Sequence, residues 1–201
     1  MPTSTSQKRL WPRASTGDCP VPSVTVDSTE LMFDMDVLGI DPGVARLGLA
    51  MVARRGRITS VIWARTIRTS ADHDESSRLM ELADAVRRAI RQYRPGAVAI
   101  ERVSFNRNVV SALLVARATG ALMVVAAEAG LEVQEYAPTE VKSAITGMGN
   151  ADKKQVREAL VRIHRLADVP DEPDAADAVA VALTLLNGAG LRAVAARAGL
   201  R

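Results

Sequence analysis

Four carboxylates stand where they could share one task. Asp41 closes the apolar run Val37-Leu38-Gly39-Ile40 and is followed by Pro42-Gly43, while Glu101 closes a second apolar run, Ala97 to Ile100. Asp174 and Asp177 lie three residues apart at the start of an alanine-rich stretch, a spacing that puts both on one helix face. Singly, each has an ordinary explanation. A turn aspartate bonds its own backbone, and acids at a helix start answer the helix dipole. Together, carboxylates brought to one place repel each other unless cations lie between them. With no clustered His or Cys beside them, an oxygen-only set selects hard cations such as Mg²⁺ or Mn²⁺. Two such ions suit phosphodiester hydrolysis by the two-metal route.

The elements that must position these acids follow in order. Residues 1–34 are rich in Ser, Thr, Pro and Asp without a sustained apolar period, which predicts a disordered extension; Met35 stands where a shorter chain would start. Three strands are expected at Val37–Ile40, Leu47–Ala53 and Ile58–Ala64, and their short connections imply an antiparallel meander. Ser76 to Tyr93 carries Leu79, Leu82, Ala83, Val86 and Ile90 at helical spacing, with Arg78, Arg87, Arg88 and Arg91 on the other side as a solvated face. A fourth strand, Ala97–Ile100, leads to Glu101. The helix Val109–Ala129 is apolar nearly all round, so it can pack on the sheet and on a second partner, and Gly130 caps it. Glu132–Tyr136 reads as the fifth strand. A short helix opens at Pro138, another runs from Asp152 to Leu166 with Asp152 as its N-cap, and a last runs from Ala175 to Leu186. Gly188 to Gly190 is expected to break that helix, leaving 189–201 as a tail. The whole predicts an α/β fold over 35–188: a mixed five-stranded sheet, three antiparallel strands then two parallel, with helices on both faces. If strand one is the neighbour of strand four, Asp41 and Glu101 leave the sheet side by side.

Composition bounds the chemistry. Hydrophobic residues make up 48% of the 201 and aromatics only 3%, which favours a core of Ala, Val, Leu and Ile. A net charge of +3 fits a polyanionic partner without proving one. The single cysteine, Cys19, excludes an internal disulfide framework and a cysteine zinc site, as expected of a soluble protein in a reducing cytoplasm. The apolar run Val109–Ala129 is interrupted by Arg117 and Glu128, which favours a buried helix over a membrane span. His73 falls in a polar loop, His164 on an amphipathic helix, and Trp63 is assigned to the core.

Several segments, in order, resemble the RuvC-type Holliday-junction resolvases. They are Gly39-Ile40-Asp41-Pro42-Gly43 with Gly48, Ala99-Ile100-Glu101-Arg102-Val103, Glu135-Tyr136-Ala137-Pro138, Val141-Lys142, Gly147-Met148-Gly149 and Asp174-Ala175-Ala176-Asp177-Ala178. The resemblance spans about Met35 to Leu186. It implies an RNase H-like fold, a homodimer, and a Mg²⁺-dependent endonuclease with two ions per site, for which Mn²⁺ can substitute. The expected activity is paired symmetric nicking of a four-way DNA junction, leaving 5′-phosphate and 3′-hydroxyl ends, in recombination and repair beside a RuvA–RuvB branch-migration complex. On this basis Asp41, Glu101, Asp174 and Asp177 are the metal-binding catalytic acids. Lys142 and Lys153 match lysines needed for activity, two of only four lysines in the chain (Lys8, Lys142, Lys153 and Lys154), and Lys154 is placed with them as a nucleic-acid contact. The family often has an aromatic three residues after the glutamate; here that position is Ser104, and Phe105 is the aromatic that could stack on a base or point into the core. Arg107 and Asn108 match polar residues of the same loop.

Rival readings are a related nuclease acting on another branched DNA or RNA, and a non-catalytic junction-binding protein. An actin-like ATPase would need a second phosphate loop and a further subdomain, for which the chain has no room.

Overall fold

The computed structural model describes residues 34–103 and 109–197. The extension up to residue 33 and the loop residues Ser104, Phe105, Arg107 and Asn108 lie outside the described residues. The elements are β1 (Met35–Asp41), β2 (Arg46–Arg55), β3 (Ile58–Arg68), α1 (Glu75–Tyr93), β4 (Ala97–Glu101), α2 (Val109–Glu128), β5 (Glu132–Tyr136), α3 (Pro138–Thr146), α4 (Lys153–Arg162) and α5 (Pro173–Arg197). The sheet order is β3-β2-β1-β4-β5. β1–β2 and β2–β3 are antiparallel, while β1–β4 and β4–β5 are parallel. β1 therefore lies in the middle and is covered on both faces, which is why it reads as a continuous apolar run rather than an alternating one.

Side chains alternate across each strand and sort into two cores. Leu38, Ile40, Leu49, Met51, Val98 and Ile100 face α1 and α2. Val37, Ala50, Val52, Ala97 and Ala99 face α5, with α3 and α4 beside it. Small residues set how closely α5 approaches: a Cβ on Gly39 would lie 2.1 Å from the Ala178 carbonyl oxygen and 2.8 Å from the Ala182 Cβ. That near-contact holds the start of α5 at the end of the sheet where Asp41 emerges.

Several boundaries differ from the sequence reading. α4 ends at Arg162 rather than Leu166, because Arg165 takes a positive φ of 55° and the Leu166 amide turns back to the Leu160 carbonyl at 3.1 Å, so His164 lies beyond the helix and not on it. β3 continues past Ala64 to Arg68, because its ladder with β2 runs on to the Arg46–Arg68 pair. α5 is not broken at Gly188 but continues to Arg197. A helical glycine costs only about 1 kcal/mol relative to alanine, and the flanking Ala and Leu residues offset it. Arg54 also ties this turn to β2, donating to the Leu186 carbonyl at 3.0 Å and to Asn187 Oδ1 at 2.8 Å. No heavy atom lies within 4 Å of a Cβ built on Gly188. Gly188→Ala is thus expected to stabilise the protein by about 0.5–1 kcal/mol in urea denaturation; a loss of stability would mean that the helix needs a break here.

The α1 arginines are not uniformly solvated. Arg78 Nε donates to Thr69 Oγ1 at 2.9 Å, and Arg87 pairs with Asp84 at 3.0 Å and Glu128 at 3.6 Å, whereas Arg88 and Arg91 are exposed. Trp63 is half-buried and stacks on Tyr93 with ring centroids 5.4 Å apart. By length and composition α2 could cross a membrane, and a third of it is buried in the fold. Its inner face buries Ala118, Leu122, Val125 and Ala126, while Val109, Val110, Leu113 and Val124 are half or more exposed.

Candidate active site

The parallel register pairs Ile40 with Ile100, so Asp41 and Glu101 leave adjacent strands side by side. The turn behind Asp41 is held tightly. A Cβ on Gly43 would lie 2.3 Å from the Arg46 carbonyl oxygen, Thr69 N–H donates to the Ala45 carbonyl at 3.3 Å, and Thr69 Oγ1 donates to the Val44 carbonyl at 2.6 Å. Across the sheet end, α5 starts at Pro173, and the Glu172 carboxylate accepts the Thr66 amide at 3.0 Å. That bond pins the helix start to β3 and, with charge from Arg68 and Arg65 next, holds Glu172 below the usual carboxylate range. Asp177 follows Asp174 by one turn. Its Oδ2 accepts Lys153 Nζ at 2.6 Å, which raises the lysine pKa. Lys153 is in the first turn of α4, whose start is fixed by a reciprocal pair: the Gln155 amide donates to Asp152 Oδ1, and the Asp152 amide to Gln155 Oε1, both at 2.8 Å. α3 opens at Pro138 with Glu140 accepting the Ala137 amide at 2.6 Å, which sets Lys142 a turn into the helix.

These elements enclose a cleft of about 280 Å³ lined by Asp41, Glu101, Lys142, Lys153 and Asp177, with Pro138, Val141, Val156, Ala180 and Val181 as its apolar walls. Asp174 does not line it, though its charge acts on Lys153. Lys154 is exposed beside Lys153. Neither His73, paired with Glu81, nor His164, whose Nε2–H donates to the Ile145 carbonyl at 2.9 Å, lines the cleft.

The electrostatics are those of crowded acids. Asp41 opens onto the cleft yet is densely surrounded; burial pushes its pKa well above the ordinary aspartate value, and the charge and hydrogen bond of Glu101 and then the charge of Asp177 push it further. Glu101 is also raised, by burial first, while its hydrogen bond with Asp41 and the charges of Lys153 and Lys142 pull the other way. Among the described residues no three His, Cys, Asp or Glu side chains stand close enough to hold an ion as placed. Asp41 and Glu101 are both raised, and the ammonium of Lys153, bonded to Asp177, supplies a positive partner. The donors are all carboxylate oxygens at one strand-end cleft and they need positive charge, so the set fits a hard divalent cation.

Glu172, Thr69 and Arg78 support the site without a sequence signal. Glu172 bonds Thr66, and Thr69 bonds Val44 and Ala45, all far away in the chain, while Arg78 bonds Thr69 nine residues earlier; alone they read as a helix-start acid, a loop threonine and a surface arginine.

A mixed sheet of this order, with acids ending β1 and β4 and a helix crossing it that carries Asp177 into the same cleft, is the RNase H-like nuclease arrangement. The family described as crossover junction endodeoxyribonuclease RuvC matches residues 37–185. The RuvC of Roseiflexus sp. (strain RS-1) is 42% identical over 146 residues, which is 73% of this chain and 87% of that one. That of Corynebacterium efficiens is 45% identical over 148 residues, 73% of this chain and 66% of that one. The structure of T. thermophilus RuvC in complex with a Holliday junction substrate superposes with a TM-score of 0.73 at 36% identity, covering 79% of this chain and 97% of that one. The yeast mitochondrial Holliday junction resolvase Ydc2 shares the fold, with a TM-score of 0.58 at 15% identity over 81% of this chain and 84% of that one. The chain belongs to the RuvC family and is a DNA-hydrolysing nuclease.

Proposed function

We propose that the protein resolves four-way DNA junctions by paired symmetric nicks, with Asp41, Glu101, Asp174 and Asp177 as the metal-binding catalytic acids. The observation that carries this reading is the convergence of Asp41, Glu101 and Asp177 with Lys142 and Lys153 in one cleft. Two Mg²⁺ ions, or Mn²⁺ in their place, would supply water activation and charge stabilisation for in-line phosphodiester displacement. Asp41 and Glu101, fixed by adjacent strands, and Asp177 from α5 line the cleft, with Asp174 one turn earlier on α5. Lys153 and Lys142 stand over the acids, where a phosphate oxygen gains charge as its bond breaks. Releasing Lys153 from Asp177 frees both charges for substrate and cation. Lys154 is a further nucleic-acid contact, and Phe105, Arg107 and Asn108, which lie outside the described residues, are assigned to nucleic-acid binding by the family's motif. The exposed apolar face of α2 supports a homodimer, whose two clefts would account for paired cuts, working in the cytoplasm with a RuvA–RuvB complex.

The test is cleavage of a synthetic mobile four-way junction, beside linear duplex, with Mg²⁺ or with EDTA and across pH. Paired, ligatable nicks are expected in the junction only, abolished by EDTA. At subsaturating Mg²⁺ the rate should rise with pH and then level off, because Asp41 holds its proton to higher pH than an ordinary aspartate and must lose it before binding a cation. Tight junction binding with no cleavage in Mg²⁺ or Mn²⁺ would defeat the enzymatic reading in favour of a binding protein.

A further inference from the structure

Beyond the acids, one feature of the sheet rim has no structural partner. β2 and β3 place Arg46 directly opposite Arg68, the last pair of their ladder at the end where Asp41 leaves the sheet. Directly opposed like charges destabilise a strand pair unless something negative lies between them. Both side chains are exposed, and among the described residues neither has an ion-pair partner. The carboxylate nearest in influence is Glu172, which acts on Arg68 and Arg65 through space and is itself committed to the Thr66 amide.

Their location relates them to the cleft. Asp41 is paired with Gly48, and Gly48 with Thr66; Arg46 and Arg68 are two residues further along the same two strands. At about 3.4 Å per residue and about 4.8 Å between strands, the Arg46 Cα is about 8 Å from that of Asp41. Paired residues share a face, and Ala50 and Ala64 on the same alternation pack against the α5 core, so both arginines project on the face where α5 begins. Lys142 and Lys153 line the cleft with Asp41, Glu101 and Asp177, and the arginine pair lies outside it. Basic side chains thus stand both in the cleft and on the adjoining β2–β3 rim. A nucleic-acid strand running from the cleft across the β2–β3 rim would meet the acids with Lys142 and Lys153, then the arginine pair.

We propose that Arg46 and Arg68 form a phosphate clamp for the cleaved strand, gripping the phosphate on the β2–β3 side of the scissile bond. This rests on the nuclease reading and adds to it the path of the strand. The shared phosphate supplies the negative charge that the opposed guanidiniums lack, through charge-assisted hydrogen bonds.

The experiment measures four-way-junction affinity against salt concentration for the full chain with Arg46→Gln, Arg68→Gln and both, in Ca²⁺ to hold the complex uncut. Arg57→Gln, at the far end of the same hairpin, is the control. Each clamp variant should weaken binding about tenfold near 0.15 M salt and lower the slope of log affinity against log salt by about one. The double variant should lose little more than either single, because one phosphate is shared, and Arg46→Lys should restore the slope. Arg57→Gln should match the parent. Parental affinity and slope in both single variants, with a parent that cuts junctions, overturns the clamp alone. A parent that neither binds nor cuts junctions overturns the nuclease reading, and the clamp with it.

Discussion

Asp41→Asn is expected to lower junction cleavage by about 1000-fold or more while leaving junction binding intact, the loss that follows when several kcal/mol of transition-state charge stabilisation are removed. The same substitution should raise, not lower, thermal stability in EDTA. Asp41 is crowded by Glu101 and Asp177, and its pKa in the folded chain is well above the ordinary value to which it returns on unfolding. A raised folded pKa means that the folded state binds the extra proton, so stability is lost as pH rises from the ordinary aspartate range through the raised value. Asparagine keeps the shape and carries no charge, so the variant escapes that loss and should melt higher at neutral pH. Adding Mg²⁺ should stabilise the parent through binding to the folded state and leave the variant nearly unmoved. Near-parental cleavage by the variant would remove Asp41 from the chemistry. A lower melting temperature in EDTA would assign it a structural role.

Gly48→Ala should damage both fold and activity. A Cβ there would lie 1.9 Å from the Asp174 carbonyl oxygen, 2.6 Å from its carbonyl carbon and 3.2 Å from the Asp41 Cβ. The first two are backbone atoms at the start of α5, which Pro173 and the Glu172–Thr66 bond hold in place. β2 cannot yield either, since it is paired on both sides. We expect a destabilisation of about 3 kcal/mol or more, at the upper end of overpacking costs. The folded fraction should also cut more slowly, because relieving the clash moves Asp174 away from Asp41. Urea midpoints and activity per folded molecule separate the two effects. A midpoint within about 0.5 kcal/mol of the parent, the range of an ordinary surface substitution, with full activity would show that α5 is free to shift.

Residue types and local periods determined much of this protein. The apolar runs ending in Asp41 and Glu101, the helix spacing of Asp174 and Asp177, the Asp152 cap and the proline opening α3 are written in neighbouring residues, because strand burial, capping and turn chemistry act over a few positions. A carboxylate-only donor set likewise follows from residue identity, and the ordered motifs of the family follow from the chain itself. Contacts between distant segments were decided only by the tertiary structure. The β1–β4 pairing that sets Asp41 beside Glu101 was conditional in the sequence, since several strand orders share the same local pattern. Glycine at position 48 is visible in the chain, but that it admits the Asp174 backbone depends on how closely α5 crosses the sheet. The opposition of Arg46 and Arg68 depends on register, which no strand carries by itself. Gly188 reads locally as a break, yet α5 continues through it, because the small propensity cost of glycine is outweighed by the helix on either side and by the Arg54 contacts to Leu186 and Asn187.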